Sequence, residues 1–277
     1  MGPRSVEEVR ARLYEAAAQP DGDLAAAALW IAAEEYPDLD VPRYLAFLEE
    51  RADAVARSVG AETDLESWRR RLGEELFERH GFRGDEIEYD APRNSYLNAV
   101  IDRRRGLPIS LSIVWLAVGS RLDLPVAGVD APGHFLVRMG PSIVDPFRSG
   151  RPWTAAELEE HLGRLGEAVP SRRRALLLSR PPSLREILVR VLVNLRQSYL
   201  RRRDLPRALA AVDRLVHLDR SSARWLRERA AIYQHLGCAS AAADDIERYL
   251  EREPADPEAD ALRRVVVELR RRCETLH

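Results

Sequence analysis

At 277 residues, with 45% hydrophobic and 32% charged residues and a formal net charge of −2, the chain has the composition of a globular protein long enough for two domains. Its acidic and basic residues are interspersed, which excludes a dedicated basic face for nucleic acid or anionic lipid. All 43 residues counted as Lys or Arg are arginine, which rules out chemistry through a Schiff-base or isopeptide-forming lysine of this chain.

Residues 5–80 read as helices. Ser5 with Glu8 has the capping-box spacing that opens a first helix, and Asp23 stands where it can cap a second through DLAAAALWIAAEEY. Pro42 suits the first turn of a third helix, VPRYLAFLEERADAVARSVG, which Gly60 ends. Thr63 is the expected cap of a fourth, running to His80-Gly81. Trp30, Ile31, Tyr44, Phe47, Leu48, Leu65, Trp68, Leu72 and Leu76 recur at helical spacing and are read as core. A helical N-terminal bundle follows.

From Pro92 the texture changes. NSYLNAVIDRRRG predicts a helix stopped by Gly106, and Leu107-Pro108 starts another, ISLSIVWLAVGSRL, apolar nearly all round and therefore buried. PVAGV, HFLVR and SIVDPF are short β-type segments separated by the turns Asp130-Ala-Pro-Gly133 and Gly140-Pro141, and they predict a small antiparallel pair beside the buried helix. Residues 151–182, rich in arginine and proline, read as a connector with one helical piece, TAAELEEHLGRL. From 183 to 277 the pattern is helical with a 34-residue period: Tyr199 and Tyr233, Ala208 and Ala242, Val216 and Leu250. Asp204-Leu205-Pro206, Leu236-Gly237 and Pro254 punctuate the helix pairs, and DPEADALRRVVVELRRRC closes them. The expected architecture is α+β and predominantly helical. It comprises residues 1–150 (a helical part, 1–90, and a helix-plus-strand core, 91–150), a connector at 151–182, and tetratricopeptide-like helix pairs at 183–277.

Chemistry concentrates in residues 94–147. A nucleophile at the N-terminus of a buried helix gains from the helix dipole and unpaired amides. A histidine on an adjacent strand takes its proton, and an acid orients the histidine. His134 and Asp145 sit where a hairpin brings such a pair together, and the helix starts at Leu107-Pro108-Ile109-Ser110. Ser110 is the candidate nucleophile, although a serine there also caps or packs a helix start. Equally, His134 and Asp145 read as a functional pair or as a structural pair that orders the hairpin. Asn94, Tyr96, Asn98 and Arg138 are candidate cleft-lining residues, with caps and buried hydrogen bonds as their alternative use. Arg103, Arg104, Arg105, Arg138 and Arg148 have two readings, as a ring around the cleft that attracts an acidic peptide or carboxylate and, chiefly, as solvated or paired side chains. A metal at His134 and Asp145 needs a further ligand, for which Asp130 is the nearby candidate, and no metal or cofactor is expected. His80, His161, His217, His235 and His277 show no mutual metal spacing and receive no role.

The segments Asn94–Leu97, Arg104–Leu111, Gly128-Val129, Pro132–Arg138 and Asp145–Phe147 resemble the transglutaminase-like superfamily. More narrowly, they resemble the bacterial SirB-type proteins that join such a domain to tetratricopeptide repeats. The resemblance implies a papain-like core and a Cys-His-Asp triad, of which His134 and Asp145 match the second and third members. The cysteine's place falls at Pro108 to Ser110, where this chain has none. Its two cysteines, Cys238 and Cys273, lie in the C-terminal helices, form no disulfide framework and fit a reducing compartment. With no apolar leader segment and no apolar run of membrane-spanning length, the expected location is the cytoplasm. Three function classes follow, one of them a purely regulatory protein whose site residues are structural. The first is a non-catalytic binding or regulatory scaffold that takes a protein or peptide partner through its helical repeats, with no nucleic acid or membrane. The alternative is an unconventional hydrolase or acyl transferase using His134, Asp145 and Ser110.

Overall fold

The computed structural model describes residues 4–19, 22–60, 64–131, 133–164 and 180–274. The chain forms two compact units, residues 1–191 and 192–277.

The first unit opens with α1 (Val6–Ala18), whose N-cap Ser5 accepts the Glu8 amide at 3.1 Å. Asp23 opens α2 (Leu24–Ala33) by accepting the amides of Ala25 and Ala26. That helix is buried on most of its surface, from Ala25 to Ala33, because small side chains let neighbouring helices approach from several directions. Asp40 caps α3 (Val41–Val59), with Pro42 in its first turn and Gly60 at its end. Of the expected core stripe, Ile31, Tyr44, Leu48, Leu72 and Leu76 are buried, whereas Trp30, Phe47, Leu65 and Trp68 are half-buried. Two of these rings serve as platforms: Arg4 lies over Trp30, and Arg51 and Arg104 lie over Phe47.

The expected cap Thr63 lies outside the described residues. Asp64 caps α4 (Leu65–Gly73) instead, accepting the Ser67 amide at 2.9 Å. The helix continues to Arg79 in a wider π turn, Glu74–Arg79. This turn holds the 3% exposed Glu75 against Arg51 (3.4 Å), Arg79 (3.3 Å) and His80 (3.2 Å).

The helix expected over 94–106 is shorter. A single 3-10 turn at Pro92–Asn94 precedes α5 (Leu97–Arg103), which ends at Arg104 in the left-handed region (φ 58°), ahead of Gly106. The Arg104 guanidinium lies 4.4 Å over Phe47 and 4.9 Å over Phe82, contacts that accompany the unusual backbone. Arg105–Gly106 (β2) then pairs in parallel with Arg83–Gly84 (β1). Gly106 is required by packing: a Cβ there would lie 2.5 Å from Ser110 Oγ and 3.0 Å from both Val100 methyls.

Next comes α6 (Pro108–Arg121), buried without a break from Pro108 to Gly119. It touches α2, α3 and α5 of the bundle as well as strands β3 (Val126–Val129) and β4 (Leu136–Met139). A helix with neighbours of both kinds has no solvent side, which explains its unbroken apolar sequence. The expected strand pair is part of a four-stranded antiparallel sheet in the order β3-β4-β5-β6, with β5 Ser142–Asp145 and β6 Arg151–Trp153. Proline is tolerated in β6 because an edge strand leaves half its amides outside the ladder. Thr154 and Glu157 form a reciprocal capping box that launches α7 (Ala155–Arg164) directly after β6. Leu158 of α7 packs against Val129, Leu136, Ile143 and Trp153 on the sheet.

Helix α8 (Leu184–Arg201) crosses the boundary between the units. The second unit continues with α9 (Leu205–Leu218), α10 (Arg224–His235), α11 (Ala239–Arg252) and α12 (Ala259–Glu274). The 34-residue period holds in space: Ala208 and Ala242, each 0% exposed, occupy matching positions on the second helices of successive pairs. Arg229 ties the pairs together, binding Asp245 through two nitrogens (2.6 and 2.7 Å) and Asp213 at 3.0 Å.

Candidate functional site

Asp145 ends β5 at 0% exposure, and four donors converge on its carboxylate. The amides of Phe147 and Arg148 donate to Oδ1 at 3.0 and 3.3 Å, because the 3-10 turn Pro146–Arg148 folds back over its own N-cap. On the other oxygen, Trp153 Nε1 donates to Oδ2 at 3.2 Å, and His134 Nε2 lies 2.9 Å from it. A carboxylate only accepts, so the His134 hydrogen sits on Nε2, and Nδ1 is left as the nitrogen able to accept from another group. Arg148 Nε, on a largely exposed side chain, stands 3.9 Å from the same oxygen.

His134 lies two residues ahead of β4, in the loop that enters the strand, where its amide donates to Ala131 O. Its ring is enclosed by aromatics. Trp153 stacks on it (5.7 Å between centroids, 14° between planes), Phe147 meets it edge-on at 6.1 Å, and His161 of α7 approaches at 6.1 Å. Phe147 reaches that position because Gly84 has no side chain; a Cβ on Gly84 would lie 2.5 Å from the ring.

The start of α6 is arranged for structure. Ser110, 0% exposed, donates its hydroxyl to Asn94 O at 2.7 Å, lies 3.1 Å from Leu107 O, and accepts the Leu107 amide at 2.9 Å. The hydroxyl therefore links the turn before α5 to the first turn of α6, and its hydrogen bonds run to Asn94 and Leu107, not to His134. Ser112, also buried, reaches Phe135 O at 3.4 Å.

The other predicted site residues disperse. Asn94 is fully buried, donating to Glu88 O and accepting from Arg103, whose second nitrogen holds Asp85 at 2.8 Å. Tyr96 stands at the N-cap position of α5, makes no side-chain capping hydrogen bond there, and packs edge-on against Tyr36. Asn98 lines a separate cavity bounded by residues 35–44 and α5. Arg138 is half-buried in β4 between Ala127 and Ile143. Among the described residues, no group of three metal-ligating side chains forms. Trp153 and His161 are the site residues that sequence reasoning missed. The Thr154-x-x-Glu157 signal places a helix start immediately after Trp153, but β6 is too short, and too interrupted by Pro152, to be read as a strand.

No described helix is long and apolar enough to cross a membrane. Residues 42–193 match the family described as Transglutaminase-like superfamily, and residues 195–266 match Tetratricopeptide repeat. A UPF0162 protein of Xylella fastidiosa (strain 9a5c) is 37% identical over 275 residues, covering 95% of this chain and 97% of the relative. A UPF0162 protein of Pseudomonas aeruginosa is 34% identical over 238 residues, 84% of this chain and 86% of the relative. The human F-box only protein 21 is 31% identical over 101 residues, 32% of this chain and 16% of that protein. No solved structure matches the chain. The helix–sheet core around α6, the His134–Asp145 pair and these similarities lead to one conclusion: the chain belongs to the transglutaminase-like superfamily, with a tetratricopeptide-repeat region after that domain.

Proposed function

We propose that this protein is a non-catalytic member of its superfamily, a cytoplasmic binding or regulatory scaffold of the SirB type that takes a protein or peptide partner through its repeats. The observation that carries the reading is Ser110. At the helix start where a nucleophile gains most from the dipole, the chain offers Pro108, which has no reactive group. The hydroxyl two residues on is buried and committed to Asn94 and Leu107. Tetratricopeptide repeats generally mediate protein–protein interaction, which supports placing the partner on residues 192–277. In this reading His134, Asp145 and Trp153 order the β4–β5–β6 edge of the sheet.

A second reading rests on the dyad itself. His134 oriented by a buried Asp145 is an arrangement that serves a general base, so hydrolase or acyl-transferase chemistry on a substrate brought to Nδ1 is the alternative. Turnover assays on the full chain, with amine donors, peptide amides and activated esters, separate the two. The scaffold reading expects no turnover that depends on His134, and activity lost in His134→Ala overturns it. Partners captured by the full chain should protect amides of residues 192–277 from hydrogen exchange; protection confined to the sheet around His134 moves the partner site to the dyad.

A further inference from the structure

The turn after β1, residues 85–91, is held from its inner side and turns its outer side to solvent. Asp85, 2% exposed, accepts the Glu88 amide at 3.0 Å and the Arg103 guanidinium at 2.8 Å. Asn94 Nδ2 and the Ala91 amide both donate to Glu88 O, at 2.7 and 2.8 Å. With those groups committed, the residues from Glu86 to Asp90 are all exposed. Ile87 is 87% exposed, more than any other large apolar side chain among the described residues. Tyr89 is 42% exposed, and its ring meets Phe147 edge-on at 5.9 Å. One exposed apolar residue is ordinary; two on a preordered turn, backed by a further ring, make a patch.

The charges beside the patch are not neutralised within the chain. Pairing of β1 with β2 sets Arg83 in register with Arg105. Like charges in register repel. Neither guanidinium has an ion-pair or hydrogen-bond partner among the described residues, and the Glu86 carboxylate has none either. The neighbouring Arg79, Arg93 and Arg103, by contrast, each hold a carboxylate. Glu86 stands three residues from Arg83 without meeting it, because the inward-pinned Asp85 turns the chain between them.

Unpaired bases, an unpaired acid and an apolar centre in one small area complement a copy of the same surface. In a two-fold contact each residue of one copy meets its counterpart's partner, and the reverse contact follows by symmetry. We propose that the chain self-associates as a two-fold dimer through the turn 85–91. Arg83 and Arg105 take Glu86 of the partner subunit, and Ile87 and Tyr89 are covered by the same turn of that subunit. Six residues cover less than the ~800 Å² per partner of a stable dimer, so the pairing is reversible, with a dissociation constant on the order of 0.1 mM. A preordered turn gives up little freedom on docking, which favours such a small contact. The contact lies away from the repeats, and it does not depend on whether the dyad is catalytic.

The test is sedimentation velocity of the full chain from about 10 μM to 1 mM at low salt, a range that brackets the expected constant. A monomer–dimer equilibrium is the expected result, and Ile87→Asp should weaken it about tenfold or more. Arg83→Glu and Glu86→Arg change exposed, unpaired side chains, so both variants keep the fold. Each alone should be monomeric, since like charges then meet twice across the two-fold axis. Mixed in equal amounts, the two should recover the dimer, because every contact again joins opposite charges. A chain that stays monomeric at all concentrations overturns the proposal and leaves the turn to a different protein. A dimer that persists in Ile87→Asp, or a mixture that does not re-associate, overturns it as well.

Discussion

Trp153 lies stacked on His134, 14° from parallel, and both rings reach the same carboxylate oxygen of Asp145, at 3.2 and 2.9 Å. The edge strand is thus joined to the loop before β4 by two ring N–H groups and one buried acid. Asp145→Ala removes the acceptor from four donors at once, two of them backbone amides. A cost on the order of 3 kcal/mol in unfolding free energy is expected, since each buried donor left unpaired loses its compensation for desolvation. Denaturant titration measures it, and a loss under about 0.5 kcal/mol would show that the pair does not order the sheet.

Ser110→Ala separates structure from chemistry. The Leu107 amide keeps a longer bond to Asn94 O at 3.2 Å, so the loss is cushioned to about 1–2 kcal/mol. The prediction is lower stability with partner binding unchanged at temperatures where the variant is folded. A full-stability variant that has lost a measurable activity would instead restore Ser110 as a nucleophile.

Gly106→Ala tests the close approach beneath α6. The added methyl meets Ser110 Oγ at 2.5 Å and two Val100 methyls at 3.0 Å, all buried, and a loss of about 1–3 kcal/mol is expected. The double variant Gly106→Ala, Ser110→Ala should show a coupling of the two losses, because the second change shortens the side chain that the first one strikes.

His80 gives the acid side of the stability profile. Burial, with the Arg51 and Arg104 charges behind it, holds its pKa below the ordinary 6.5 against the pull of Glu75. In the window from 6.5 downward to the lowered value, the unfolded chain binds a proton that the folded chain does not. Stability is therefore lost as pH falls through that window. His80→Gln should flatten this part of the melting-temperature profile, and an unchanged slope would remove His80 as its cause.

Helix order, the buried character of α6 and the C-terminal period were legible because each leaves a local mark: an N-cap acid, an apolar run, a 34-residue repeat. The extra strands left almost none. Residues 105–106 and 151–153 are strand only because partners from elsewhere complete their hydrogen bonds. The left-handed Arg104 was equally invisible, since it is held by the rings of Phe47 and Phe82, far away in sequence.

By itself, the sequence determined what periodicity and residue chemistry carry. These were a predominantly helical α+β chain, a His134–Asp145 pair at one hairpin, and no cysteine before residue 238. Only the tertiary structure decided how those residues are used. It enclosed His134 with Trp153 and His161, placed Asn98 at a different cavity, and bound the Ser110 hydroxyl to Asn94. The physical reason is that a side chain's role depends on which donors, acceptors and rings surround it, and those partners come from sequence positions that no local pattern connects.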